Sequence, residues 1–359
     1  MNSIRHAYLR LSLLVGIGPY MAGRLIQGCG SVEAVAGASS AQLLGIDGVG
    51  PKLLKNIQTN IDAEVDAVQA LCLQHNIQYL CPDDDLYPAQ LAVLDDAPLI
   101  LYVLGDADVL SESQMLAVVG ARRCSQSSKV ITRRWCRYLA ERQVCICSGM
   151  AYGIDGAAHG GALDAKKPTI AVLGCGLATL NPEQIRQAQA IIRFGGCVVS
   201  EYVPDAGARP EFFPRRNRII AGLAAATLVT EADVRSGSLI TARQAVGYGR
   251  EVFAVPGSVL DAKHKGCHQL LRDGAFLIED AQDIVGVMQW KEGGEHASKY
   301  EPSSDVEANI LALLAHEICH VDYLLQDCNL TLPELSPTLL TLELLGVIHV
   351  LPGNRYTLS

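Results

Sequence analysis

A chain of 359 residues with formal net charge −9, in which 49% of residues are hydrophobic and 19% charged, is long enough for two or three domains and too apolar to stay unfolded. The acidic balance excludes a partner held by overall positive charge, although a local basic cluster can still attract phosphate at short range. The opening MNSIRHAYLRLSLLVGIGPY has no signal-peptide layout and no apolar run is long enough to span a bilayer, so a cytoplasmic protein without membrane contact is expected.

Residues 1–70 read as short helices punctuated by glycine, a helix-hairpin-helix or SAM-like domain. LVGIGPYMAGRLI and IDGVGPKLLKNI each place an apolar-Gly-apolar-Gly-Pro turn ahead of an amphipathic helix. Such a turn either offers backbone N–H donors to a phosphate or simply joins packed helices; Arg24, Lys52 and Lys55 are the nearby cations. GIDGVGPK is no Walker A loop, because Pro51 stands where the lysine belongs.

Residues 77–288 alternate apolar strands with helical stretches. Strands are expected at 116–120, 144–147, 169–173, 197–200, 226–230 and 251–255, with helices at 126–142, 154–165, 183–194, 216–224 and 237–248. This is the pattern of an α/β domain with a mainly parallel sheet and helices on both faces, whose ligands belong at the C-terminal strand ends. PDDDLYP, at 82–88, reads as a solvated turn rather than a metal site. GCGLAT lacks the third glycine of a dinucleotide fingerprint, and no cofactor is expected.

The loop VVGARRC closes the first of these strands and aims Gly120, Arg122 and Arg123 at the crevice. In SGMAYGID, Ser148, Gly149 and Gly153 allow a tight turn into a helix, with Tyr152 in the loop. Asp155 and His159 then share one helix face, which favours a hydrogen-bonded orienting pair over a metal site. EADVRSGSLITA repeats the logic, with Ser236 or Ser238 as N-cap and Gly237 permitting close approach. Lys129, Arg133 and Arg137 line one face of the 126–142 helix, either as a solvated face or as an extension of a phosphate track. The twelve cysteines lack CxxC spacing and read as small buried hydrophobes.

Residues 291–305 read as a polar linker, and 306–359 as three short helices and a terminal hairpin across Pro352 to Asn354, the order of a winged helix. With Arg355 the one Lys or Arg after Lys299, protein contact or a structural role suits it better than DNA.

SGMAYGIDGAAHGGAL, FFPRRNRIIAGL, SGSLITARQAVGYGREVFAVPGS and GCHQLLRDGA, in that order, resemble the signature of the DNA-processing protein A (DprA/Smf) family over about 77–288. The resemblance implies an extended Rossmann-like fold and a non-enzymatic protein that binds single-stranded DNA. It further implies delivery of that DNA to the RecA recombinase during natural transformation, and dimerisation through the Rossmann-like domain. Tyr152, Ala178, Asn181 and His268 depart from the family's usual pattern.

FFPRRNRIIAGL is expected to form the DNA-binding lip. Pro214 would set a helix beginning near Arg215, Arg216 and Arg218 would meet phosphate beside Asn217, and Phe213 would stack on an unpaired base. The apolar residues of AQDIVGVMQW, at 281–290, would supply dimer surface. The competing reading is a nucleotide or nucleoside-phosphate hydrolase on a related fold, but the acid it needs after Ser238 is missing from LITARQ. A nuclease would need clustered metal-binding carboxylates in the strand-end loops, and none is found there.

Overall fold

The computed structural model describes residues 3–290 and, beyond them, 302, 304–316, 318–328, 330–344, 347–351 and 353–358. Most of the linker expected at 291–305 therefore lies outside the described residues. Six helices come first: α1 (Ser3–Leu13), α2 (Pro19–Cys29), α3 (Val32–Gly37), α4 (Ser40–Leu44), α5 (Pro51–Ile57) and α6 (Asp62–Gln74). The central domain runs through β1 (Gln78–Leu80), α7 (Ala89–Ala92), β2 (Leu101–Gly105), β3 (Met115–Val119), α8 (Gln126–Glu141), β4 (Cys145–Ser148), α9 (Ile154–Asp164) and β5 (Thr169–Leu173). It continues with α10 (Pro182–Arg193), β6 (Cys197–Ser200), α11 (Phe212–Leu223), β7 (Ala226–Val229), α12 (Ser238–Gly247), β8 (Glu251–Ala254), α13 (Lys265–Arg272), β9 (Phe276–Leu277) and α14 (Ala281–Met288).

The two N-terminal hairpins pack on each other as near equivalents. Gly16 and Gly48 take positive φ (87° and 90°), and a Cβ on each would meet the other hairpin's helix, at Leu53 and Met21 respectively. Arg24 of α2 donates to Asp47 O at 3.3 Å in the second turn. Asn56, at the equivalent place on α5, donates to Val15 O at 2.9 Å in the first. Arg24 also pairs with the Asp47 carboxylate at 3.0 Å. The module joins the sheet domain through PDDDLYP, a turn in which Asp83 and Asp85 are exposed as expected but Asp84 is not. Asp84 is largely buried, pairs with Arg5 at 2.6 Å and accepts Cys81 N, while Asp83 accepts the Tyr8 hydroxyl at 3.3 Å.

The sheet order is β1-β2-β6-β5-β4-β3-β7-β8-β9, parallel from β6 to β9, with β2 antiparallel to β6 and β1 antiparallel to β2. Strands β3 to β7 are buried along their whole length, as expected of a parallel sheet covered on both faces. From β3 the chain winds outward through β4, β5 and β6, then returns to place β7 on the other side of β3. The loops after β3 and β7 diverge there, at the topological switch point. Nine of the twelve cysteines are buried and none forms a disulfide.

α14 corrects the dimer surface expected at 281–290. Ile284 and Val285 are buried, and Met288 and Trp290 pack on the same core as α8, so these four cover the sheet and Val287 alone of the larger apolar residues is exposed. The C-terminal domain is a winged helix: α15 (Asp305–His316), β10 (Cys319–His320), α16 (Val321–Asp327), α17 (Leu332–Leu344), β11 (Ile348–Leu351) and β12 (Arg355–Leu358). Its three strands order as β10-β12-β11 over a core that includes Ile310, Leu324, Leu339 and Ile348.

Candidate nucleic-acid interface

Two adjoining cavities open at the C-terminal ends of the central strands. The larger, about 770 Å³, lies at the switch point between the loops after β3 and β7; its walls include Arg122, Arg123, Arg235, Ser236 and Lys263. The smaller, about 360 Å³, lies over β4 and β5 and is bordered by Tyr152, Thr179, Asn181, Gln184 and Gln187. Arg122, Ala151, Phe213 and Arg216 border both.

The Arg122 loop is held by its neighbours on both sides. Ala121 N donates to Glu231 O at 2.8 Å, and Ser125 N donates to the Glu231 carboxylate, which is fully buried at the end of β7. On the other side Ile154 N donates to Ala121 O at 3.3 Å. Gly153 approaches so closely, at φ +85°, that a Cβ would stand 2.6 Å from Arg122 O and closer still to Ala121 O. This leaves the Arg122 side chain exposed, with its guanidinium 5.4 Å from the centre of the Phe213 ring.

Phe212 and Phe213 diverge. Phe212 stacks on Tyr202 at 3.9 Å between ring centres, while half-buried Phe213 faces both cavities. Tyr152 is 68% exposed and donates its hydroxyl to Glu183 at 2.7 Å across the smaller cavity. An aromatic ring on either side of a polar-walled recess, with a free guanidinium at its rim, can take an unpaired base and its phosphate together.

Several expected contacts are placed elsewhere. α11 begins at Phe212, not near Arg215, so Pro214 sits inside the first turn. Arg216 is 4% exposed and donates inward to Gly149 O at 2.9 Å and to Val172 O, so it is not free for phosphate. Arg218 pairs with Glu201, both nearly buried. Ser148 is buried and donates to Val118 O at 2.6 Å, bracing β4 against β3. α12 is capped by Gly237 without a side-chain bond; Ser236 and Ser238 bond each other at 2.7 Å, and Asn217 reaches Gly237 O at 3.4 Å.

Asp155 and His159 do not bond each other. Asp155 accepts from Ala151 N at 3.4 Å, and burial pushes its carboxyl up to about 6 against the opposing pull of Arg216. His159 Nδ1 lies 2.9 Å from Thr169 Oγ1, whose own proton goes to Ile146 O; the histidine therefore donates from Nδ1, and its buried Nε2 has no partner. Burial and the neighbouring Arg216 charge lower its pKa to about 4, keeping it neutral.

Of the α8 cations, Arg133 pairs with Asp164 at 2.5 Å and Arg137 with Glu141 at 3.0 Å, which favours a structural face for these two. Arg235 and Lys263 were missed. Arg235 stood within a strand-end loop already marked as ligand-facing, but Lys263 sits in no motif and reaches the crevice only through the fold. Two departures from the family pattern have local explanations: Asn181 caps α10 in a capping box with Gln184, and His268 Nε2 lies 3.0 Å from Gly257 O. Among the described residues no three His, Cys, Asp or Glu side chains converge as a metal site.

Comparison with known proteins follows the same domains. The family model described as DNA recombination-mediator protein A matches residues 78–289, and that of the DprA winged helix domain matches 295–354. Protein Smf of Escherichia coli is 40% identical over 296 residues, covering 79% of each chain. DNA processing protein DprA of Streptococcus pneumoniae is 42% identical over 207 residues, 58% of this chain and 73% of that one. A crystal structure of the S. pneumoniae protein superposes with TM-score 0.67 at 32% identity, covering 80% of this chain and 98% of that one. A structure of the Helicobacter pylori protein, described as showing its single-stranded DNA binding mode, superposes with TM-score 0.53 at 30% identity, covering 59% and 96%.

Proposed function

The chain belongs to the DNA recombination-mediator protein A family, and from that premise we propose that it binds single-stranded DNA in the switch-point crevice and passes it to the RecA recombinase during natural transformation. One observation carries the DNA reading. An exposed guanidinium, Arg122, is held over a half-buried ring, Phe213, where a cation-lined cavity meets an aromatic one. The cations suit the phosphate backbone, and the ring suits a base that duplex pairing would withhold. The H. pylori relative's described binding mode supports the same ligand class.

The protein acts by holding DNA rather than by chemistry. Asp155 and Glu231, the two buried carboxylates nearest the crevice, are both bonded to backbone amides. RecA as recipient rests on the family's description as a recombination mediator. A homodimer would form through the Rossmann-like domain, where the β9 edge strand leaves Phe276 and Leu277 exposed. A cytoplasmic location is in keeping with such a task.

Fluorescence anisotropy of labelled single-stranded and duplex oligonucleotides over a salt series tests this reading. Single strands should bind more tightly at every salt concentration. Equal affinity for both forms, or none for either, would overturn it.

A further inference from the structure

Beneath the junction of the two cavities lie two charged groups that the DNA-binding reading leaves without a task. Arg216 donates from Nη1 to Gly149 O at 2.9 Å, in the loop after β4, and to Val172 O on β5. Asp155 is buried beside it, and its carboxylate accepts Ala151 N at 3.4 Å in the same loop. A Cβ on Gly149 would stand 2.7 Å from both Arg216 Nη2 and Asp155 Oδ2, so guanidinium and carboxylate press on the first residue of that loop together. The two charges attract without a direct salt bridge, and such buried charges are a poor source of stability, because desolvation offsets most of the attraction, but they fix geometry.

The contacts form a closed ring. The loop that Arg216 grips ends at Gly153, which lies against the carbonyls of Ala121 and Arg122. Arg122 stands over Phe213, and Phe213 is one helical turn before Arg216 on α11. The geometry points to Arg216 and Asp155 as positioning residues: a charged clamp that fixes loop 149–153 and, through it, the Arg122 guanidinium over Phe213 in the form that receives a single strand. The inference rests on the DNA-binding reading above for what the loop receives, and on these contacts alone for what the clamp holds. A lysine cannot replace the arginine, since one ammonium on a flexible stem does not reproduce a planar group that donates from Nη1 to two carbonyls and from Nε to Asn217 Oδ1 at 3.3 Å.

The test uses the full chain in variants R216M, R216K, D155N, R122A and the R122A/R216M pair, each first checked for a cooperative thermal transition. Without DNA, amide hydrogen exchange in peptides covering 149–154 and 120–124 should rise about tenfold or more in R216M, with little change in α2, α5 or the winged helix. With a labelled 20-nucleotide oligothymidine, R216M should weaken binding about tenfold or more, R216K should fail to restore it, and D155N should move in the same direction. In the R122A background, R216M should cost less than about twofold further, because the two changes remove one arrangement.

The inference falls if exchange in those peptides is unchanged, or if R216K binds as the parent does. It also falls if the losses from R122A and R216M multiply and R216M by itself lowers the log–log salt slope by about 0.7, the mark of a phosphate ligand. Should R216M not fold, D155N carries the same measurements, since its amide keeps the shape of the carboxylate. If the parent binds no single strands, the DNA reading fails, while the exchange data still decide whether the clamp holds the loop.

Discussion

In the crevice Gly153 turns the chain into α9, and in the N-terminal module Gly16 and Gly48 lie in turns leading to α2 and α5, all three at positive φ. What surrounds them differs. The crevice turn packs against the backbone beneath Arg122 and leaves that guanidinium, with Arg123, Arg235 and Lys263, facing open space. The hairpin turns pack against each other's helices, and the one arginine between them, Arg24, is held by Asp47. A glycine turn before a helix thus marks close approach, and the side chains around it decide whether the approach serves a ligand or another helix.

The largest expected effect comes from placing a Cβ in each kind of turn. Gly153→Ala should reduce single-strand affinity by more than about a hundredfold, because the methyl group meets two carbonyl oxygens that cannot yield without moving Arg122. Gly48→Ala meets only the flexible side-chain ends of Met21, at 2.7 Å, and Arg24, at 3.4 Å. It should destabilise the hairpin module by about 1–2 kcal/mol through its left-handed backbone, yet leave affinity within about twofold. Calorimetry and anisotropy on both variants would break the comparison if the two losses came out alike.

Within the crevice, Arg122→Ala should weaken single-strand binding by about tenfold and lower the salt slope by about 0.7, since one phosphate would then keep its counterion. Phe213→Ala should cost about 1–3 kcal/mol of binding with little change in slope, since a stacked ring releases no counterion. A Phe213 variant whose slope fell like that of Arg122→Ala would show that the ring serves only to hold the guanidinium.

A smaller effect appears in stability against pH. His159 is depressed to about 4 from an unfolded value near 6.5, so its contribution is present above about 6.5 and fades as pH falls toward 4. Asp155 is raised to about 6 from an unfolded value near 3.9; its contribution is full below about 3.9 and fades as pH rises through 6. Between pH 4 and 6 the folded parent takes up a proton on Asp155 about as readily as the unfolded chain does on its histidine, and the two nearly cancel. Asp155→Asn removes one side of that balance. Its unfolding free energy should fall with acidification by up to about 1 kcal/mol per pH unit over this window, where the parent stays nearly flat. Parallel curves for the two proteins would contradict the placement of these groups.

Much of this was readable from the chain because parallel strands advertise themselves. Runs such as TIAVL are apolar on both faces, and loops following them carry the ligand side chains by topology. That rule places Arg122, Tyr152 and Phe213 at the crevice, and all three border the smaller cavity. β1, β2 and β9 were not: three-residue and two-residue strands give no period, and β2 pairs antiparallel at the far side of the sheet. The inward turn of Arg216 was missed although its position signals it. Residues 216, 219, 220 and 223 form the buried stripe of α11, so an arginine at the first of them points to the core. Its partners, Asp155 and the carbonyls of Gly149 and Val172, lie on other elements and have no local trace. Arg218 and Asp84 were misjudged for the same reason: a charged letter does not reveal a partner far along the chain.

The smallest expected effect completes the comparison. Lys52 and Lys55 are exposed on α5, just past the Gly50-Pro51 entry, and from sequence they could have met phosphate. α5 spans only Pro51–Ile57, too short for much helix dipole, and Asn56 is committed to the facing turn. Without a ring paired to a guanidinium, as Phe213 is to Arg122, the two ammonium groups offer at most diffuse attraction that salt screens. The double variant Lys52→Ala, Lys55→Ala should therefore bind single strands within about twofold of the parent at about 0.15 M salt, with a slope lower by less than about 0.7. A slope lowered by about 0.7 or more, for single strands or for duplex, would make the hairpin module a second nucleic-acid surface and end the contrast with the crevice.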